Sequence, residues 1–292
     1  MDSLIDKEPV DFLTPEDGAS QSAVKFSAEE QKDNFLGGGI TKKEAGKSID
    51  ITPLYRGVWA DRIKDGDQIP VGGSIFSDEL DIIMEVDTEW LKDKTVNFTR
   101  EKLDELYNSD NGQLLKKWVE DNGIKVDPMI LHHLLYVQNK MRALLEVGDE
   151  SVAVARKDLY LSQRRAKLSE FVGQSECAEQ AVVGKLLLDK IGIKSTFMEG
   201  VHVDSKESDP FDHSFLVLDD LSGEGSLIFD IARPKASVSG YPRILRSEKK
   251  LDPTVFEGKN NYVVPAVDIY NGSNIYYGVG HSSLMQDVNF AE

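Results

Sequence analysis

One change of rhythm constrains this chain more than any other feature. From Ala178 to Ile191 an apolar-rich run has the length of a helix, and it closes at Gly192, where glycine readily takes the backbone that ends helices. Directly afterwards the period drops to two. Ile193 to Val203 reads as a strand, Asp212 to Leu218 as a second, and Ser226 to Asp230 as a third behind the turn-rich Ser222-Gly-Glu-Gly225. A helix that leads straight into antiparallel strands buries its apolar surface by packing on the sheet. The expected class is therefore α+β, with helices first and an antiparallel sheet after them.

The helices are legible in their stop and start signals. Thr99 caps a helix over Arg100 to Tyr107, and Gln113 to Glu120 continues to the Asn122-Gly123 stop. Asp127-Pro128 is a cap followed by proline at the first helical position, opening a helix that runs to Gly148 and carries His132 and His133. Val152 to Val172 reads as a further helix, with Leu159, Leu168, Phe171 and Val172 on its buried side and Arg164, Arg165 and Lys167 on a solvated face. Upstream, Ile69 to Phe76 and Glu79 to Val86 read as strands or edge loops, and Asp87, Asp93 and Asp104 as solvated surface. Downstream, Tyr262 to Tyr270, the Asn271-Gly272 turn and Ile275 to Gly278 form a closing hairpin.

Gly173-Gln-Ser-Glu-Cys177-Ala-Glu-Gln-Ala181 contains the only cysteine of the chain. Ser175 is placed to cap the helix, so Cys177 falls in its first turn. There the free N–H groups and the positive end of the helix dipole favour an anion, and thiols so placed are nucleophilic. The strand pattern puts His213 and Asp230 side by side on one face of the sheet, and the helix that carries Cys177 packs against that face. Nucleophile, base and orienting carboxylate thus follow in the order Cys177, His213, Asp230. Gln174 is the side-chain candidate for an oxyanion hole, beside the Cys177 backbone N–H. His202, between two valines, reads as an exposed position off that face. His202, Asp204, Asp209, Asp212 and His213 are metal-binding residue types, but they lack ligand periodicity. No metal and no other cofactor is expected.

Cys177, Glu179, Ala181, Gly192-Ile193, Gly200, His213 and Asp230, in that order, resemble the core pattern of the transglutaminase-like superfamily, papain-fold thiol enzymes with a Cys-His-Asp triad. The resemblance covers about residues 165 to 235. It departs from the pattern at Ser214, where an aromatic often follows the histidine, and before the aspartate strand, where another aromatic is absent. It implies a papain-like core, a thioester intermediate and an amide substrate in a protein or peptide. The acyl group then passes to water, as in a cysteine protease, amidase or glutamine deamidase, or to an amine, as in a transglutaminase. Two other readings of the same residues are an arylamine acetyltransferase-like enzyme dependent on acyl-CoA and an inert binding domain of the same fold.

Composition narrows the partners. The 292 residues hold 34 basic against 51 acidic side chains, and the net charge of −17 repels nucleic acid and anionic membrane. Neither partner is expected, and no apolar run approaches the roughly 20 residues of a membrane span. One cysteine cannot form an internal disulfide, which suits a reducing compartment such as the cytoplasm; export by a dedicated secretion machine is compatible with the same sequence. Residues 1–48 are acidic, polar and aperiodic and read as a flexible arm. Residues 49–123 read as a mixed segment that packs on the core, 124–284 as the catalytic core and 285–292 as a loose tail.

Overall fold

The computed structural model describes residues 42–44, 47–49, 58–71, 82–147, 165–219, 225–233, 241–248, 250–251, 262–279 and 289–290. Nearly all of the expected arm and the body of the expected helix at 152–172 lie outside these residues. Within the arm, β1 (Lys42–Glu44) and β2 (Lys47–Ile49) form a short antiparallel ribbon. Next come β3 (Val58–Ala60), β4 (Gln68–Val71) and β5 (Ile82–Glu85), followed by the helices α1 (Glu89–Lys94), α2 (Arg100–Tyr107), α3 (Asp110–Asp121) and α4 (Pro128–Leu144).

The caps explain where these helices begin. The Thr99 hydroxyl accepts a hydrogen bond from the Lys102 N–H, and the Asp127 carboxylate accepts one from Met129 N–H at 2.8 Å, with Pro128 at the first position. Gly123, just past α3, has φ +63°. The turn from α2 into α3 is so tight that a Cβ on Gly112 would stand 2.1 Å from the Tyr107 carbonyl oxygen. A backbone atom cannot swing aside as a side-chain tip can. Gly112→Ala is therefore expected to destabilise the protein by about 1–3 kcal/mol, read as a fall in denaturation midpoint. An unchanged midpoint would show that the turn relaxes freely.

Arg165–Lys167 is a strand, β6, pairing parallel with β5, and Leu168–Phe171 is a 3-10 turn. This corrects the expected helix over 152–172 in its described part. Leu168 and Phe171 are buried, as a helical face would also have buried them, so burial alone could not separate the two conformations. Asp87 and Asp104 are also not simply solvated. Asp87 accepts hydrogen bonds from the Ser169 N–H and hydroxyl, and Asp104 accepts from Arg100 and lies 3.0 Å from His133.

The core of the molecule is a barrel with one helix laid on it. Helix α5 (Cys177–Lys190) is followed by β7 (Thr196–Val203), β8 (Phe211–Asp219), β9 (Ser226–Asp230), β10 (Arg243–Ser247), β11 (Tyr262–Asp268) and β12 (Asn274–Val279). Each of these strands pairs antiparallel with the next, and β12 pairs with β7, so six strands close into a ring. The expected helices-then-sheet, papain-like arrangement is thereby corrected: the sheet is a closed barrel. The closing element is β10, which pairs with both β9 and β11. Its Ile244 and Leu245 are both fully buried, on opposite faces, so Arg-Ile-Leu-Arg shows none of the alternation by which a half-exposed strand is recognised. The C-terminal Asn289–Phe290, β13, lies parallel to the start of β11, beyond the β10 pairing. A free sheet edge there takes up part of the tail expected to be loose.

Alternation along β8 divides the buried side chains. Phe215 and Val217 enter the barrel with Met198, Ile228 and Tyr277, whereas Leu216 and Leu218 point outward into the larger core shared with α5. Helix α5 lies between that outer face and α4, which corrects its expected packing on the face of His213 and Asp230, since those two residues alternate to the barrel interior; even its Glu179, Gln180 and Lys185 are buried. At Gly184 a Cβ would meet the Ile231 side chain at 2.5 Å, which sets how closely helix and barrel approach.

Candidate functional site

Cys177 is the first residue of α5. The cap position before it is Glu176, not Ser175. The Glu179 carboxylate reaches back and accepts from the Glu176 N–H at 2.7 Å, a capping-box bond that holds the turn. Gly173, with φ +79°, reverses the chain ahead of the helix. Cys177 is half-buried.

His213 projects from β8 on the barrel-interior side, opposite Gly200 of β7, which has no side chain to compete for the space. One ring nitrogen, Nε2, is 2.7 Å from Asp230 Oδ1, and the Cys177 side chain is near enough to the imidazole to add to its proton affinity. With Nε2 occupied, Nδ1 is the nitrogen left for the thiol. His213 is 4% exposed and Asp230 fully buried. The second oxygen of Asp230 accepts from the Tyr277 hydroxyl at 2.8 Å. The three residues expected to form a triad are therefore brought together, with Tyr277 added behind them.

Burial alone would lower the affinity of His213 for a proton. The Asp230 charge and hydrogen bond outweigh it, with help from Cys177, and push the imidazole up to about 9. Asp230 mirrors this: burial opposes its charge, yet His213 brings it down to about 2. At neutral pH the pair is imidazolium and carboxylate. A cation held beside a sulfur is the arrangement that generates nucleophilic thiolates.

His202 is not on an exposed face. It is fully buried on the same side of the barrel as His213, with ring centroids 5.1 Å apart, and stands across from Tyr277 in the β7–β12 pairing. Two flanking valines signal a strand without showing that both of its faces are covered. The Nε2 of His202 is 2.8 Å from Arg233 Nη1 and 3.6 Å from Asp204 Oδ1. Distance favours the arginine, and arginine only donates, so Nε2 accepts and the ring is neutral. Burial lowers the pKa of His202 to about 4, with His213 and Arg233 opposing protonation further.

Arg243, paired across from Asp230 in the β9–β10 ladder, lies 3.8 Å from Asp230 Oδ2 and 3.7 Å from Asp204 Oδ1. Sequence reasoning does not find Tyr277, Arg233 or Arg243. The one available signal is that Arg233 follows the candidate aspartate by a single helical turn's length of chain. Gln174, the oxyanion-hole candidate, donates its amide to the Glu170 carbonyl at 2.7 Å within the turn before α5. That bond holds the turn rather than reaching over the thiol.

On the opposite side of β7, Glu199 lies near Asp212 and Glu179. Burial, with those two charges added, raises its carboxyl to about 8. Among the described residues no group of three or more histidine, cysteine, aspartate or glutamate side chains is arranged to hold a metal, and no helix is long and apolar enough to cross a membrane. Compared with protein-family models, with curated proteins and with solved structures, the chain matches none.

Proposed function

We propose that this protein is a thiol-dependent acyltransferase or hydrolase acting through Cys177, His213 and Asp230. One observation carries the reading: a half-buried cysteine at a helix N-terminus stands beside a histidine, which is itself held by a buried carboxylate. The chain order of the triad is the one behind the resemblance to the transglutaminase-like superfamily. The proposal concerns the chemistry and takes nothing from that fold.

In the first step the sulfur attacks an amide or ester carbonyl as a thiolate, the nucleophilic form, with the His213 imidazolium beside it. The Cys177 N–H lies at the helix start, where donors without intrahelical partners stabilise the oxyanion. His213 then gives its proton to the departing amine, the C–N bond breaks and a thioester remains. In the second step water or an amine attacks the thioester and gives its proton to His213. The acid or new amide leaves, and the sulfur is regenerated. Asp230, fixed by Tyr277 and Arg243, keeps the imidazole aligned through both proton transfers. The substrate class is a protein or peptide amide, with a reducing compartment as the setting for a lone thiol.

p-Nitrophenyl acetate tests this without knowledge of the natural substrate. A burst of nitrophenol, one equivalent per chain, with the acetyl group mapped to Cys177 is the expected result. Cys177→Ser should remove the burst. A folded protein that shows no burst and resists iodoacetamide at about pH 6 would instead be an inert domain with a core cysteine.

A further inference from the structure

We propose that Arg233 selects the acyl donor and that this donor carries a carboxylate close to the carbonyl that Cys177 attacks. The inference rests on the acyl-transfer reading above and extends it to substrate class. Arg233 sits in the turn immediately after Asp230, and its backbone N–H donates to the Asp230 carbonyl at 3.3 Å. Its guanidinium reaches the edge of the site through His202, whose ring contacts that of His213. Together the two contacts keep the charge within the roughly 10 Å screening length at 0.1 M salt of the His213 ring.

The two arginines of the site are used differently. Arg243 stands between two carboxylates, Asp230 and Asp204, and is mostly buried. Arg233 is, like Arg243, partly buried, and its partners are what set it apart. Among the described residues its one side-chain hydrogen bond is to a neutral imidazole, and no carboxylate lies within 4.0 Å of it. A guanidinium has five donors in a planar fork, and the bond to His202 engages one of them, so the fork retains the geometry that pairs with a carboxylate.

The local charge points the same way. His213, Arg233 and Arg243 are positive, and Asp204 and Asp230 are negative, leaving one positive charge in excess before the sulfur is counted. Elsewhere the chain is strongly acidic, at −17 overall. Glu199 and Asp212 alternate to the other face of their strands, away from His213 and His202, and Glu179 lies near Glu199 on that far side. Arg233 keeps its charge whether or not the sulfur is acylated, and a single carboxylate on the acyl group matches its planar fork.

Two alkylating reagents of similar size separate the possibilities, iodoacetate with a carboxylate and iodoacetamide without one. In each, the sulfur's electron pair forms the S–C bond as iodide leaves. Wild-type protein should prefer iodoacetate, and Arg233→Gln should cut the iodoacetate-to-iodoacetamide rate ratio by roughly fivefold or more. Arg233→Lys should restore most of the ratio. The preference that His213 itself confers survives in all variants, so only the change on mutation counts. If Cys177 ignores iodoacetamide altogether, the thiol-enzyme reading falls and this inference with it. If iodoacetamide reacts normally but the ratio is the same in wild type and Arg233→Gln, only the role of Arg233 is overturned. Should Arg233→Gln fail to fold, a structure of wild-type protein carboxymethylated at Cys177 decides: a carboxylate on Arg233 supports the proposal, and one turned away from it refutes it.

Discussion

Replacing His213 with alanine is expected to slow acylation of Cys177 by roughly 10²–10⁴-fold, the range lost when a positioned acid–base group is removed. Two contributions disappear together. The imidazolium no longer stands beside the sulfur, and no group remains to protonate the leaving amine. Because His213 is held up at about 9, wild-type reactivity should persist across neutral pH and change only as that proton is lost. Asp230→Asn keeps a hydrogen-bonding oxygen but removes the charge that sustains the imidazolium. His213 should then titrate nearer its ordinary range, and neutral-pH reactivity should fall between those of wild type and His213→Ala. His202→Ala is expected to cost about tenfold at most. It takes away a neutral neighbour whose Nε2 is committed to Arg233. Iodoacetamide rates against pH, measured on folded variants, make the comparison. If His202→Ala abolishes reactivity while His213→Ala spares it, the base has been assigned to the wrong ring.

Much of this site is legible along the chain because its parts sit at element boundaries that leave local marks. Gly173 and Gly192 bracket α5, so the residue pattern by itself puts Cys177 in a helical first turn, where the fold also has it. Strand alternation pairs His213 with Asp230, and the two side chains do meet on one face. How the surfaces close on one another leaves no such mark. His202 reads as exposed because a two-valine flank is the same in a half-covered strand and in a barrel wall. Tyr277 is far from Asp230 in sequence, and only closure of β12 onto β7 brings them within 2.8 Å. β10 is hidden for the related reason that a strand buried on both faces has no period. The helix and the strands that follow it can be recognised one by one, but the ring that they form depends on that one short, unmarked segment.

The stability of the protein is expected to peak near pH 6.5 and to fall on both sides. His132 and His202 are held at about 4 in the fold, chiefly by burial, and His133 is also lowered by burial. Between their ordinary value near 6.5 and about 4, the unfolded chain binds protons at these positions and the native state does not. Stability there rises with pH. Glu199 pulls the other way. Its carboxyl is raised to about 8 by burial first, so from about 4.5 upward the native state holds a proton that the unfolded chain has released. Two to three histidines against one carboxyl leave a net one to two protons, or roughly 3–5 kcal/mol lost between pH 6.5 and 4.5. That is a large part of the stability of an ordinary domain. Above pH 6.5 the histidines fall silent, and the sign reverses. His213 and Glu199 both keep protons in the fold that the unfolded chain gives up, so stability declines until Glu199 titrates near 8 and His213 near 9. Denaturation midpoints from pH 4.5 to 9 test the shape. His132→Phe gives the sharper check, since His132 Nδ1 has no hydrogen-bond partner among the described residues and the ring lies among Tyr107 and Tyr136. The substitution should flatten the acid limb by about one proton and leave the alkaline limb alone. A wild-type midpoint that stays level from pH 6.5 down to 4.5 would mean that these histidines are not held neutral in the folded protein.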